Sequence, residues 1–348
     1  GTLFREPNQS PTVSFTNLRL IGAVGNYTLT FSSPTAGISP TTQSITLTPG
    51  AADSIQLIAP ANATNATSLV SEVVVRVLDA NNNLVTANNS SISLSITGAT
   101  ISGTATRTAD RGEATFPGLS IVGQVGTKTL KATLGSPVLE RSVTIQLAHG
   151  TPTKLAISQT ASRAVNRANF LDQPIIVVQD VSGNRVENNS SSVSIAVSRA
   201  GTTIPFELTG TGSMNAVSGV ASFTGLGLIG EVGDFTLTYS SGSLTTTSQT
   251  IRLTHGAAHS IEVTGPATAN SGADLSAPVV AKVFDQDLNL VITGTLSVEL
   301  SVPVTISGQT TRSVEAGIAT FTNLRFTSTT GVKSCLLYTS PSPRDRQK

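Results

Sequence analysis

The chain has 348 residues, of which 38% are hydrophobic, 12% charged and 4% aromatic, with no Trp. That length holds roughly two to four domains able to bury their own cores, and the low charge with ample Ile, Leu and Val excludes a disordered, charge-rich chain. A formal net charge of +1 excludes a nucleic-acid binder built on phosphate neutralisation. The single cysteine, Cys335, excludes a disulfide framework, and no apolar run reaches membrane-spanning length.

One block organises the rest. Arg111–Ala132 (RGEATFPGLSIVGQVGTKTLKA) has counterparts at Phe15, at Phe223 and, cut short, at Phe321. The four phenylalanines recur at intervals of about a hundred residues, one block per domain. Within the block Phe116, Leu119, Ile121 and Leu130 read as core positions, and Gly112, Gly118, Gly123 and Gly126 as turn punctuation.

Residues 1–48 read as the last part of a repeat, with strands at Thr12–Phe15, Tyr27–Phe31 and Ser44–Leu47. Residues 49–148 read as a complete repeat, with strands at Ile55–Ile58, Val73–Leu78, Ser91–Thr97, Ile101–Thr106 and Ser142–Leu147 around the Phe116 block. Ile92, Leu94 and Ile96 alternate with Ser and Thr, the period of a half-buried strand. Residues 149–254 repeat the order with Leu155–Ile157, Ile175–Gln179, Val193–Val197, Val220–Phe223, Phe235–Tyr239 and Thr250–Leu253, and an insertion at Thr202–Ser213 reads as a longer hairpin. Residues 255–334 supply Ile261–Val263, Val279–Phe284 and Leu296–Val302 before Phe321, and lack the last strands. Short strands with period-two alternation and no helical periodicity predict an all-β chain of tandem antiparallel β-sandwiches, incomplete at both ends. The junctions Leu47-Thr-Pro-Gly-Ala, Leu147-Ala-His-Gly-Thr and Leu253-Thr-His-Gly-Ala are too short for flexible linkers and predict a semi-rigid rod.

Sites of chemistry are scarce. The turns Asp79-Ala-Asn81-Asn-Asn83, Asp180-Val-Ser182-Gly-Asn184 and Asp285-Gln-Asp287-Leu-Asn289 place side-chain oxygens at alternate positions, as a calcium loop begins. The glycine and distal Glu of such a loop are missing, so an Asx-type hairpin turn is the stronger reading. Asp285, Asp287 and Asn289, with two carboxylates, form the one calcium candidate; no other metal or cofactor is expected. His149 and His255 hold the same junction position, with His259 near the second, and lack zinc-ligand neighbours at the required spacing. There is no G-x-S-x-G elbow and no recurring Ser/His/Asp set, so no enzyme is expected here. Sugar platforms stack exposed rings, whereas Tyr27 and Tyr239 fall on a core-facing strand pattern. N-x-S/T sequons include Asn62, Asn65, Asn88, Asn89, Asn188 and Asn189, acceptors for glycans only in a eukaryotic source.

Three signatures recur together: Val73-Val-Val75-Arg-Val77-Leu-Asp79 with its equivalents, Gly112-Glu-Ala-Thr-Phe116, and Gly233-Asp-Phe-Thr-Leu237. This set resembles the bacterial immunoglobulin-like (Big) repeats of large surface proteins, including the invasin and intimin group, over essentially residues 1–334. The resemblance implies an immunoglobulin-like sandwich and an extracellular or cell-surface stalk that presents a distal module. The repeat pattern then stops, because Cys335 stands where Leu29 stands in the first block. Residues 335–348 (ending LLYTSPSPRDRQK) resemble translated adapter or vector sequence and read as a non-native tail, which carries Arg344, Arg346 and Lys348 against Asp345.

Three functions stay open on the residues: a structural spacer, an adhesive module that binds a surface protein or glycan through its loops or a strand edge, and a non-catalytic part of a secreted enzyme. The expected partners of each repeat are its neighbours in the same chain.

Overall fold

A computed structural model describes residues 14–201, 205–329 and 331–332, and the backbone of 336–341. The chain is all-β, and no helix is long and apolar enough to cross a membrane among the described residues. It divides into two compact units, residues 1–151 with 180–184, and residues 152–179 with 185–348.

In the first unit a hairpin pairs Gly25–Phe31 with Thr41–Leu47 in antiparallel register, Tyr27 opposite Ile45. A sandwich follows. One sheet orders Ser54–Ile58, Val73–Leu78 and Glu113–Phe116, with Val73 opposite Phe116 and Val75 opposite both Leu57 and Ala114. The other orders Asn62–Thr64, Leu139–Ala148, Gly126–Leu134, Ser91–Thr97 and Thr106–Thr108. Asn62–Thr64 runs parallel to Leu139–Ala148. A ribbon of Thr100–Ser102 with Ser120–Val122 sits beside them. Alternation sets the core: Val73, Val75, Val77, Ile92, Phe116, Leu119, Ile121, Leu130 and Ile145 are buried, and each large side chain contributes about 1.5–3 kcal/mol.

In the second unit the arrangement recurs twice, the second time with three strands in each main sheet among the described residues. The first copy has a three-stranded sheet of Lys154–Gln159, Ile175–Gln179 and Val220–Ser222. Facing it are Ala164–Val165, Thr247–Thr254, Gly233–Ser240, Ser192–Ser198 and Ser213–Asn215. Its core holds Ile176, Val178, Phe223, Leu226, Phe235, Leu237 and Tyr239. The second copy pairs Ser260–Thr264, Val279–Phe284 and Ile318–Phe321, opposite Thr311–Ser313, Leu296–Ser301 and the backbone of Leu336–Pro341. Residues 336–341 thus occupy the place that Gly126–Leu134 takes beside Ser91–Thr97, although their sequence departs from the repeat.

Three expectations need adjusting. The strand read as Ile101–Thr106 is two strands, because Gly103 has φ +111° and breaks the pairing between Thr100–Ser102 and Thr106–Thr108. Between Gly118 and Gly123, which read as turn punctuation, the chain forms a further strand, Ser120–Val122, whose Ile121 is buried as expected of a core position. Tyr27, read as a core residue, is 38% exposed and its hydroxyl donates to Ala23 O. Within the predicted insertion, Glu207–Thr209 pairs with Gly227–Ile229. Thr12, Val13, residues 202–204 of that insertion, Cys335 and 342–348 lie outside the described residues.

Candidate functional site: a polar clasp rebuilt in both units

The three Asp-x-x-x-Asn turns share one geometry. In each, Asp Oδ1 accepts the backbone N–H groups two and four residues on. These are Asn81 and Asn83 for Asp79, Ser182 and Asn184 for Asp180, and Asp287 and Asn289 for Asp285. The turn needs a left-handed residue at its fourth position, held by Asn82, Gly183 and Leu288 at φ 60°, 82° and 63°. That much is the local Asx chemistry of Asp in turns.

The other oxygen points away from the turn. Oδ2 accepts the N–H of a junction glycine, Gly50 at 2.9 Å for Asp79, Gly150 at 2.8 Å for Asp180 and Gly256 at 2.8 Å for Asp285. It also accepts Nδ2 of the turn's own Asn at 2.9–3.0 Å. A side chain on Gly150 would meet Asn65 O at 2.5 Å, so glycine is what lets the junction backbone come this close.

The Asn at the turn's end then holds the Gly-x-Val stretch of the repeated block. In the first unit Asn83 takes Val24 N–H and donates to Gly22 O, and Asn184 takes Val125 N–H and donates to Gly123 O. In the second unit Asn289 takes Val232 N–H at 2.8 Å and donates to Gly230 O at 2.9 Å. A second asparagine closes the set. Asn65 donates to Asp180 Oδ2 and accepts Gly123 N–H; Asn166 donates to Asp285 Oδ2 and accepts Gly230 N–H. The Asp180 set of the first unit and the Asp285 set of the second match group for group at the same places in the repeat, and the Asp79 set repeats their turn, junction glycine and Gly-x-Val contacts.

Burial pushes the Asp180 and Asp285 carboxyls up, but the converging N–H donors outweigh it and hold both below the ordinary carboxylate range. Asp79 is likewise held below that range, chiefly by Asn83 Nδ2. Asp287 is lowered by its bond from Arg167 above all.

This geometry bears on each residue singled out in the sequence. Asp285, Asp287 and Asn289 do come together, but the Asp285 oxygens face five N–H donors, which a calcium ion would have to displace. No group of three His, Cys, Asp or Glu side chains is placed to hold a metal ion among the described residues. Asn65 is corrected as a glycan acceptor: it is buried, and the nitrogen that would carry the sugar is bonded to Asp180. Asn62, Asn89 and Asn188 are exposed; Asn88 and Asn189 cap their loops by accepting Ser90 and Ser191 N–H. His149 and His255 sit at the junction with Nδ1 on Gly150 O and Gly256 O, and His255 Nε2 meets Thr293. Asn65 and Asn166 escaped the sequence reading. Their signal was an Asn at nearly the same place after each junction glycine, 15 residues after Gly50 and 16 after Gly150, masked at Asn65 by its reading as a sequon.

A second feature lies in the last sandwich, an apolar groove of about 630 Å³ lined by Val263, Leu275, Val279, Leu300, Val302 and Phe326 among others. In the two preceding sandwiches the corresponding strands, Leu139–Ala148 and Thr247–Thr254, bury Ile145 with Leu147 and Ile251 with Leu253.

No protein-family model matches the sequence, and no curated protein matches it. Among solved structures, a β-glycosidase from Bacteroides vulgatus aligns with 57% of this chain and 24% of its own at 16% identity and a TM-score of 0.25. Invasin, a bacterial integrin-binding protein, aligns over 83% of this chain and 57% of its own at 18% identity and a TM-score of 0.32. The protocadherin γB4 extracellular domain covers 92% of this chain and 54% of its own at 14% identity and a TM-score of 0.36. The chain spans about a quarter of the glycosidase and little more than half of the other two. The sandwich assignment rests on the strand pairing described above.

Proposed function

We propose that this chain is a non-catalytic spacer segment of a secreted or cell-surface repeat protein, of the bacterial immunoglobulin-like kind, whose sandwiches serve to couple one to the next. The observation that carries the reading is the clasp. Its Asp, Asn and Gly come from the turn, the block and the junction of the repeat, and the same set is assembled at 123–125 with 180–184 and at 230–232 with 285–289. Polar groups held in this way orient backbone against backbone, and the Asp180 and Asp285 carboxylates are each taken up by five N–H donors. A spacer needs folded length and defined joints, which sandwiches with short junctions supply.

Mechanical unfolding of the full chain between two anchored ends tests this. The expected trace shows separate events, each releasing about 30–35 nm for roughly a hundred residues of extended chain. A chain that extends without force peaks would overturn the spacer, and one that binds a panel of surface glycans or receptor ectodomains saturably through its loops would replace it with the adhesive reading.

A further inference from the structure

The clasp of the second unit carries one addition. Asp287, at the third position of its turn, accepts Arg167 Nε and Nη2 at 2.7 and 2.8 Å, a bidentate ion pair. Arg167 follows Asn166 in the left-handed conformation at φ 65°, as Ala66 follows Asn65 at φ 57°. In the first unit the third turn position is Ser182, whose hydroxyl donates to Asn65 Oδ1 at 3.2 Å. Arg167 with Asp287, and Ala66 with Ser182, therefore fill the same two places in two ways. Asn166 Nδ2 also bonds Asp285 Oδ2 at 2.9 Å and Asp287 Oδ2 at 2.6 Å, so two carboxylates share one amide. Without a guanidinium beside them, that arrangement sets like charges against each other.

We propose that these two positions form a matching code that decides which turn a repeat end accepts. An end carrying Asn-Arg fits a neighbouring sandwich whose turn reads Asp-x-Asp-x-Asn; an end carrying Asn-Ala fits a turn with a small hydroxyl residue at the third position. The attraction of the pair is small, since the Arg167 side chain is 40% exposed. Selectivity comes from the mismatch, in which Asp287 is left beside Asp285 with no cation. The inference rests on the clasp being a coupling between sandwiches, as proposed above.

Amide hydrogen exchange on the full chain tests it at Val232, whose N–H bonds to Asn289, and at Val125, whose N–H bonds to Asn184. Arg167→Asp is expected to speed exchange at Val232 by about tenfold or more, and the swapped pair Arg167→Asp with Asp287→Arg to bring it back to within about threefold. Ser182→Asp should speed exchange at Val125, and adding Ala66→Arg should reverse it. Protection of the Ile176 and Val178 amides reports that the sandwich stays folded in each variant. Unchanged exchange at Val232 in Arg167→Asp, or no recovery in either paired variant, overturns the code. Asp285→Asn separates the two readings: if it leaves Val232 protected, the coupling itself fails; if it exposes Val232 while Arg167→Asp does not, only the code fails.

Discussion

Asp180 and Asp285 each accept five N–H donors at 2.8–3.0 Å, three of them on one oxygen. An amide in place of Asp285 would keep one acceptor and turn a donor toward Asn166 Nδ2, Asn289 Nδ2 and Gly256 N–H. Asp285→Asn is therefore expected to destabilise the second unit by about 2–3 kcal/mol, the cost of losing charge-assisted bonds and stranding buried donors. Urea denaturation of the full chain against the parent measures it. Leu288 shows the opposite case. It occupies the left-handed position of its turn and is 75% exposed, where Asn82 and Gly183 stand in the other turns. Leu288→Asn removes the steric penalty without losing a buried contact, and should raise stability by about 0.5–1 kcal/mol in the same experiment.

At the scale of the element, the hairpin turns that enter Glu113–Phe116 and Val220–Ser222 depend on paired left-handed residues, Arg111 with Gly112 and Ser218 with Gly219. Asp110 and Glu113 exchange both backbone bonds across the first turn, and Val217 and Val220 across the second. A Cβ on Gly219 would lie 2.4 Å from Val186 O, and one on Gly112 would lie 2.5 Å from Val85 O. Gly219→Ala should accordingly cost at least about 2 kcal/mol, from backbone strain together with the displaced Val186 segment. Val217→Ala, two residues away and 76% exposed, should change stability by less than about 0.5 kcal/mol. Thermal melts of the two variants distinguish a turn fixed by backbone geometry from one fixed by apolar contact. The glycines of these turns were legible as punctuation in the sequence. Their close approach to Val85 and Val186 was not, because those partners come from another loop of the same sandwich.

Over the whole chain, Asp79, Asp180 and Asp285 act alike under pH. Each has a folded pKa below the ordinary value of 3.8, so each contributes stability that is fully present above that value. The contribution is lost as pH falls through the lower folded values. Stability should therefore hold level between roughly pH 5 and 7 and decline steeply below about pH 4. The triple variant Asp79→Asn, Asp180→Asn, Asp285→Asn should be less stable at neutral pH and lose this acid slope. Equilibrium denaturation across that range checks both halves of the expectation. A slope unchanged in the triple variant would place the acid sensitivity on other carboxylates.

The sequence by itself determined what depends on neighbours along the chain. Period-two alternation at Val73–Leu78 and Ile92–Ile96 is a property of the strand, so the all-β class and the buried faces could be read directly. The local half of each Asp turn was equally legible, since its Oδ1 bonds reach only two and four residues ahead. The clasp was decided by tertiary structure alone. Asn166 lies 119 residues from Asp285, and Asn65 lies 115 from Asp180, yet each pair shares one buried hydrogen bond. Such partners carry no periodicity. An Asn that bonds a distant carboxylate has the same letters around it as an Asn that faces water, and only the docking of one turn against one block tells them apart.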